Sequence, residues 1–107
     1  MKRFLASVFA AAFFASGAIA ADVNAGGAKA KEVCAACHGQ DGNSTDPNNP
    51  RLAGQWRDYL EKALRDYRSG ERKNAIMAGF AKGLSDADIR NLAAYYAAQK
   101  SVLGVKY

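Results

Sequence analysis

The sequence predicts an all-α domain of three main helices joined by long, glycine-rich links. Three observations carry this. Apolar residues recur at helical spacing over 55–69 and again from 85 to about 99. Residues 24–37 are rich in Ala and Lys, which favour helix. No segment alternates apolar and polar residues as a half-buried strand would. With 107 residues and no internal repeat or low-complexity tract, the chain holds one small domain, too little for a multidomain enzyme.

The first 20 residues read as an address. MKRFLASVFAAAFFASGAIA opens on Lys2 and Arg3 and runs apolar from Phe4 to Ala15. It ends in small residues, with Ala18-Ile19-Ala20 fitting an A-x-A cleavage site. The apolar run is short for a bilayer span, and Ser16-Gly17 dilutes its end. A secretory signal over 1–20 is therefore expected, leaving a periplasmic domain over 21–107 with no membrane span after cleavage.

The remaining elements follow in order. Asn24 or Asp22 can cap the first helix, 24–37. Residues 39–50, GQDGNSTDPNNP, are dense in Gly, Asn, Asp and Pro and read as turns. That composition suits a compact Ω-type loop wrapped around something. A calcium loop of the EF-hand kind would need Glu where Leu52 stands. In the helix over 55–69, Trp56, Tyr59, Leu60, Ala63, Leu64 and Tyr67 form the apolar stripe, and Gly70 supplies the stop. Residues 71–84 read as irregular, broken by Gly79 and Gly83. Ser85 can cap the last helix, with Asp86 and Asp88 facing the positive end of its dipole. Ile89, Leu92, Ala93 and Tyr96 mark its apolar face.

Fifteen of the 53 apolar residues lie in the first 20 positions. Of the 38 that remain, 16 are Ala, leaving 22 larger side chains. That is thin for a core and calls for a non-protein group to help fill it. The net charge of +5 falls to +3 without Lys2 and Arg3, which argues against a nucleic-acid partner.

Cys34-Ala35-Ala36-Cys37-His38 is a C-x-x-C-H sequence, the pattern of c-type haem attachment. Cysteines three apart on a helical turn share a face and can add to the two vinyl groups along one haem edge. The adjacent His then faces the iron. A structural zinc needs four ligands, and the chain beyond residue 20 holds only three Cys or His residues. A thioredoxin-like pair would sit beside a βαβ pattern, which is missing here. A plain disulfide also suits an exported chain. Joined to the export signal and a short helical chain, the motif points to haem.

A second axial ligand cannot be histidine, because His38 is the only one. Beyond residue 20, Met77 is the only methionine. Its soft thioether suits low-spin iron, and a Met/His pair raises the reduction potential. Met77 lies 39 residues after His38, enough chain to pass around a haem and return on its far face.

VCAACHG at 33–39, NPRLAGQ at 49–55, RKNAIM at 72–77 and LSDADIRNLAAYYA at 84–97 together resemble a class I cytochrome c. The likeness is to the small soluble monohaem bacterial kind, related to each half of the dihaem periplasmic cytochromes, and covers nearly all of 22–100. It implies the class I fold, helices and long loops wrapped around one covalently bound haem c with its iron. Cys34 and Cys37 would form the thioethers, and His38 and Met77 would be the axial ligands. Pro50 would accept from the other ring nitrogen of His38. Leu52, Trp56 and Tyr96 would line the pocket. Gly26 or Gly27 would mark the crossing of the first and last helices, against Leu92 and Tyr95. Related sequences often carry Pro two residues before the Met; Ala75 here gives that loop more freedom. Asn74 would hydrogen-bond near the sulfur. The resemblance implies a monomeric one-electron carrier rather than an enzyme. It would shuttle between a respiratory quinol-oxidising complex and a terminal oxidase or reductase. Arg51, Arg57, Arg72, Lys73 and Lys82 would steer redox partners with acidic docking surfaces. The competing readings are a small subunit of a larger oxidoreductase, and a ligand-binding or peroxidase-like haem protein if Met77 leaves the iron open.

Overall fold

A computed structural model describes residues 5–12 and 20–103. Most of the predicted export signal lies outside the described residues. Among the described residues five helices follow in order: α1 (Val23–Val33), α2 (Ala35–His38), α3 (Arg57–Ser69), α4 (Ala75–Ala81) and α5 (Asp86–Ala97). Among the described residues there is no strand, and no helix is long and apolar enough to cross a membrane.

The ends of these helices are set by local chemistry. Asp22, not Asn24, caps α1, its Oδ1 accepting from Ala25 N at 3.0 Å. The single first helix expected over 24–37 is broken at Cys34, where φ is −118°. Cys37 N and His38 N then both donate back to Cys34 O, at 3.2 and 3.0 Å, forming the short second helix. Gly70 ends α3 in the left-handed conformation at φ 88°, which costs glycine nothing. Ser85 and Asp88 form a reciprocal capping box on α5, with bonds of 3.0 Å in each direction. The segment expected to be irregular, 71–84, contains α4, started by Asn74.

α1 and α5 cross face to face at Gly26 and Gly27. A Cβ on Gly26 would lie 2.1 Å from the carbonyl oxygen of Asn91, and one on Gly27 would lie 2.9 Å from Tyr95 Cε2. Both glycines press on α5, so the crossing involves Tyr95 as expected, with Asn91 as the closest backbone. α3 also packs against α5 and carries α4. Ala30, Leu60, Leu84, Ile89, Leu92, Ala93 and Tyr96 make the buried cluster. Among the described residues Ile89, Leu92 and Tyr96 are the large side chains with the least exposed surface, at 0%, 1% and 3%. The protein core is as thin as the composition implies, and it stops at the wall of a cavity.

The loop over 39–56 closes on itself. Gly42 O accepts from Leu52 N at 2.8 Å and from Ala53 N at 3.1 Å. Gly42 sits at φ 77°, and a Cβ there would meet Ala53 N at 2.7 Å, so both conformation and space demand glycine. Asn43 ties the loop to the C-terminal segment: its Nδ2 donates to Lys100 O at 2.9 Å and its Oδ1 accepts from Val102 N at 2.8 Å. Gly54 N donates to Tyr96 O at 3.0 Å, pinning the loop's far end to α5. The result is the Ω-type loop that the turn residues foretell, with Pro50 and Leu52 held against the cavity.

Candidate haem-binding site

A cavity of ≈ 460 Å³ opens between α2, the 48–55 loop, α3, α4 and α5. Its volume lies within the range of about 300–1,000 Å³ typical of cofactor sites. Cys34, Cys37, His38, Pro50, Leu52, Met77 and Tyr96 all line it. Residues spread over more than 60 positions of sequence thus meet around one space. Trp56 is not brought to this group. It is 82% exposed and absent from the lining. It holds the N-cap position of α3, outside the helical turn, so it does not share the inward face of Leu60, Ala63 and Leu64.

His38 is 8% exposed, and its Nδ1 lies 2.7 Å from Pro50 O. A carbonyl only accepts, so Nδ1 carries the hydrogen and the ring's lone pair sits on Nε2. The same bond fixes the ring's orientation and strengthens its donor character. Pro50 in turn belongs to a loop stiffened by Arg51, whose Nε donates to Ser44 O at 3.0 Å.

Cys34 and Cys37 are both free thiols. Burial pushes the Cys34 thiol up to about 11, against a smaller opposing pull from the Tyr96 hydroxyl. Disulfide-exchange enzymes need the opposite, a thiol pKa lowered toward or below neutrality. Cys34 thus lacks the lowered thiol that a thioredoxin-like pair uses. Burial, then the neighbouring Cys34, raises the Tyr96 hydroxyl well above its ordinary value, so it stays a neutral donor. It donates to Gly39 O at 3.3 Å, tying α5 to the end of the C-x-x-C-H turn. Among the described residues no three His, Cys, Asp or Glu side chains converge as a zinc site requires.

The cavity carries two cations, Arg51 and Arg72, and no acidic side chain among its described lining residues. Most of the remainder is apolar or aromatic: Val33, Leu60, Leu64, Phe80, Leu84 and Leu92 among others. This chemistry fits a haem c. There are two thiols on one turn, an oriented imidazole, a thioether on a separate element, apolar walls for the macrocycle and cations for its carboxylates.

Sequence reasoning missed two features. Asn74 lines the cavity, and its Oδ1 accepts from the main-chain N–H of Met77 at 3.0 Å and so caps α4. An Asn before a helix-forming run was the available signal, masked by Gly79. Arg72 stands 4.8 Å over the Tyr67 ring and donates to Tyr59 Oη at 3.3 Å, a clamp with no sequence signature.

The comparisons agree with this geometry. A family model described as cytochrome C oxidase, cbb3-type, subunit III, matches residues 21–95. Cytochrome c4 of Pseudomonas aeruginosa is 50% identical over 86 residues, which is 80% of this chain and 42% of that protein. Cytochrome c-554(548) of Halomonas halodenitrificans is 48% identical over 71 residues, 64% of this chain and 86% of that one. The crystal structure of reduced recombinant cytochrome c4 from Pseudomonas stutzeri superimposes with a TM-score of 0.73 at 45% identity, covering 79% of this chain and 49% of that one. The chain thus spans less than half the length of the P. aeruginosa cytochrome c4 that it matches. With the C-x-x-C-H turn, the oriented histidine and the cavity, these matches place the chain in the cytochrome c family, with the class I fold and a covalently bound haem c.

Proposed function

We propose that this protein is a one-electron carrier whose iron is bound by His38 and Met77. Cys34 and Cys37 hold the macrocycle by thioethers. The observation that carries the reading is the 2.7 Å contact between His38 Nδ1 and Pro50 O, which leaves Nε2 as a donor to a metal in the same cavity that Met77 lines. When bound, the haem supplies an iron centre that takes up and gives back a single electron. The chain's own residues do the rest. Two protein donors leave no open position for substrate. Pro50 keeps the imidazole in one tautomer and one orientation. The thioether of Met77 favours the reduced state and raises the potential. Leu52, Leu60, Leu64, Leu84 and Leu92 keep water from the site, so little rearranges when the charge changes.

The cavity's mouth suits brief docking. Tyr59, Ile76 and Phe80 line the cavity and are 49%, 71% and 47% exposed, a ready apolar contact. Exposed cations stand in the same segments: Arg51, Arg72, Lys73 and Lys82. Arg57 is exposed too, but pairs with Glu61 at 3.2 Å, which leaves less of its charge for a partner. The preferred partners are redox proteins with acidic surfaces, met quickly and released quickly. Together with the export pattern at the N-terminus, this supports a periplasmic shuttle between a quinol-oxidising complex and a terminal oxidase or reductase.

The test is the near-infrared spectrum of the oxidised protein. A weak sulfur-to-iron band is expected in the wild type and lost in Met77→Ala, with a fall in potential. A band and potential unchanged in Met77→Ala would refute the ligand assignment. Electron-transfer rates that do not vary with ionic strength would dismiss charge steering.

A further inference from the structure

We infer that Asn74 and Arg72 are positioning residues for the axial methionine, together holding the short α4 helix, and so the sulfur of Met77, over the cavity. The inference rests on Met77 being an iron ligand.

α4 has little else to hold it. It is seven residues long, and only Ala81 is buried. Ile76 is 71% exposed and Phe80 47%. Gly79 lies in its middle, where an added Cβ would touch nothing within 4 Å. There is no acidic residue in its first turn to complement the dipole. A helix this short is unstable alone and depends on its attachments.

Those attachments converge on its N-terminus. Asn74 lies in extended conformation at φ −157° and ψ 114°, the geometry of an N-cap. Its side chain captures the N–H of Met77 itself, at 3.0 Å, and its carbonyl accepts from Ala78 N at 2.8 Å. The group secured is the main chain of the residue that carries the thioether. Two residues earlier, Arg72 locks the segment to α3 three times. Its N–H donates to Asp66 O at 3.0 Å, Nη1 donates to Tyr59 Oη at 3.3 Å, and the guanidinium lies 4.8 Å over the Tyr67 ring. Tyr59 and Tyr67 lie on α3 and both line the cavity, so the clamp holds α4 in register with the cavity's wall.

Holding the sulfur in place matters because an external ligand competes with it. The apparent affinity of such a ligand scales with the fraction of molecules whose methionine has swung away. Loss of the cap should raise that fraction about fivefold. Loss of the stacked guanidinium should raise it about two- to fivefold.

The experiment is an imidazole titration of the oxidised holoprotein, read from the near-infrared band and the Soret shift. Asn74→Ala is expected to bind imidazole about fivefold more tightly than wild type. Asn74→Asp retains a capping oxygen and is expected to match wild type within about twofold. Arg72→Leu is expected to move in the same direction as Asn74→Ala, and it carries the test if Asn74→Ala does not fold. The inference is overturned if Asn74→Ala, with Soret and far-ultraviolet dichroism intact, titrates like wild type. It is also overturned if Asn74→Asp behaves like Asn74→Ala, or if Arg72→Leu leaves the affinity unchanged. A wild type that lacks the band and takes up imidazole as readily as Met77→Ala is a different failure. That result removes the methionine ligand itself.

Discussion

Gly26→Ala tests the crossing on which the fold is hung. A Cβ at this position would lie 2.1 Å from Asn91 O, 2.6 Å from the Asn91 carbonyl carbon and 2.9 Å from Tyr95 Cβ. Ordinary contact between heavy atoms is about 3.5 Å, so α1 and α5 must part by roughly 1 Å or more. Every clashing atom is backbone or attached directly to it, so no rotamer change gives relief. Separation also strains the bond from Asp22 N to Asn91 Oδ1, now 2.9 Å. Overpacking of this kind costs about 1–3 kcal/mol or more, against about 0.5–1 kcal/mol gained by alanine over glycine in a helix. A net loss of about 2 kcal/mol lowers the thermal midpoint of a domain this size by about 8–16 °C.

Two companion glycines make the experiment quantitative. Gly27→Ala meets Tyr95 Cε2 at 2.9 Å. That ring can tilt, but its hydroxyl donates to Gln40 O at 2.6 Å and accepts from Gln40 Nε2 at 3.0 Å, so a smaller loss is expected. Gly79→Ala meets nothing and should gain about 0.5–1 kcal/mol. Denaturation of the holoproteins, followed by far-ultraviolet dichroism, should therefore rank them Gly79→Ala, wild type, Gly27→Ala, Gly26→Ala. A Gly26→Ala protein as stable as Gly79→Ala would refute the reasoning from close helix approach.

Ala75→Pro should stabilise the protein by about 0.4–1 kcal/mol, seen as a higher guanidinium midpoint at unchanged slope. Ala75 is exposed and is the first residue of α4, where proline is favoured, and Asn74 already has the extended conformation that proline requires before it. Asp86→Asn should weaken the protein at neutral pH, with the deficit shrinking in acid. The Arg68 guanidinium, 2.6 Å from Asp86 Oδ1, holds that carboxyl below its ordinary value. A depressed pKa contributes stability above the unfolded-state value of about 4, and that contribution is lost as the pH falls through the folded-state value. Denaturation midpoints of wild type and Asp86→Asn at pH 7 and below pH 4 check the sign; a gap that widens in acid contradicts it.

The fold was legible where side chains and backbone agree locally. The stripe from Tyr59 to Tyr67, the stop at Gly70 and the Ser85 cap with Asp88 each announce a helix end or face. The C-x-x-C-H turn is legible because it packs its chemistry into five consecutive residues. Two kinds of feature stayed hidden. The break at Cys34 lies in an Ala-rich run where every local preference reads as one continuous helix. α4 is short, carries Gly79 and depends on tertiary attachments that sequence does not display. Trp56 shows the limit of periodicity from the other side. It keeps helical spacing with Leu60, yet it sits at the cap, where spacing no longer fixes direction, and ends up on the surface. Arg72 shows a third case. Its three attachments to α3 join residues 5–13 positions apart through an irregular turn, and no pattern in the chain marks such a turn.

The central claim is that Cys34 and Cys37 bind the cofactor permanently while His38 faces its iron. Intact mass measurement of the coloured protein, before and after acid-acetone extraction, tests this directly. A polypeptide heavier by one haem is expected, with the added mass and the colour both surviving extraction. A chain at the bare polypeptide mass, its pigment lost to the solvent, would contradict it.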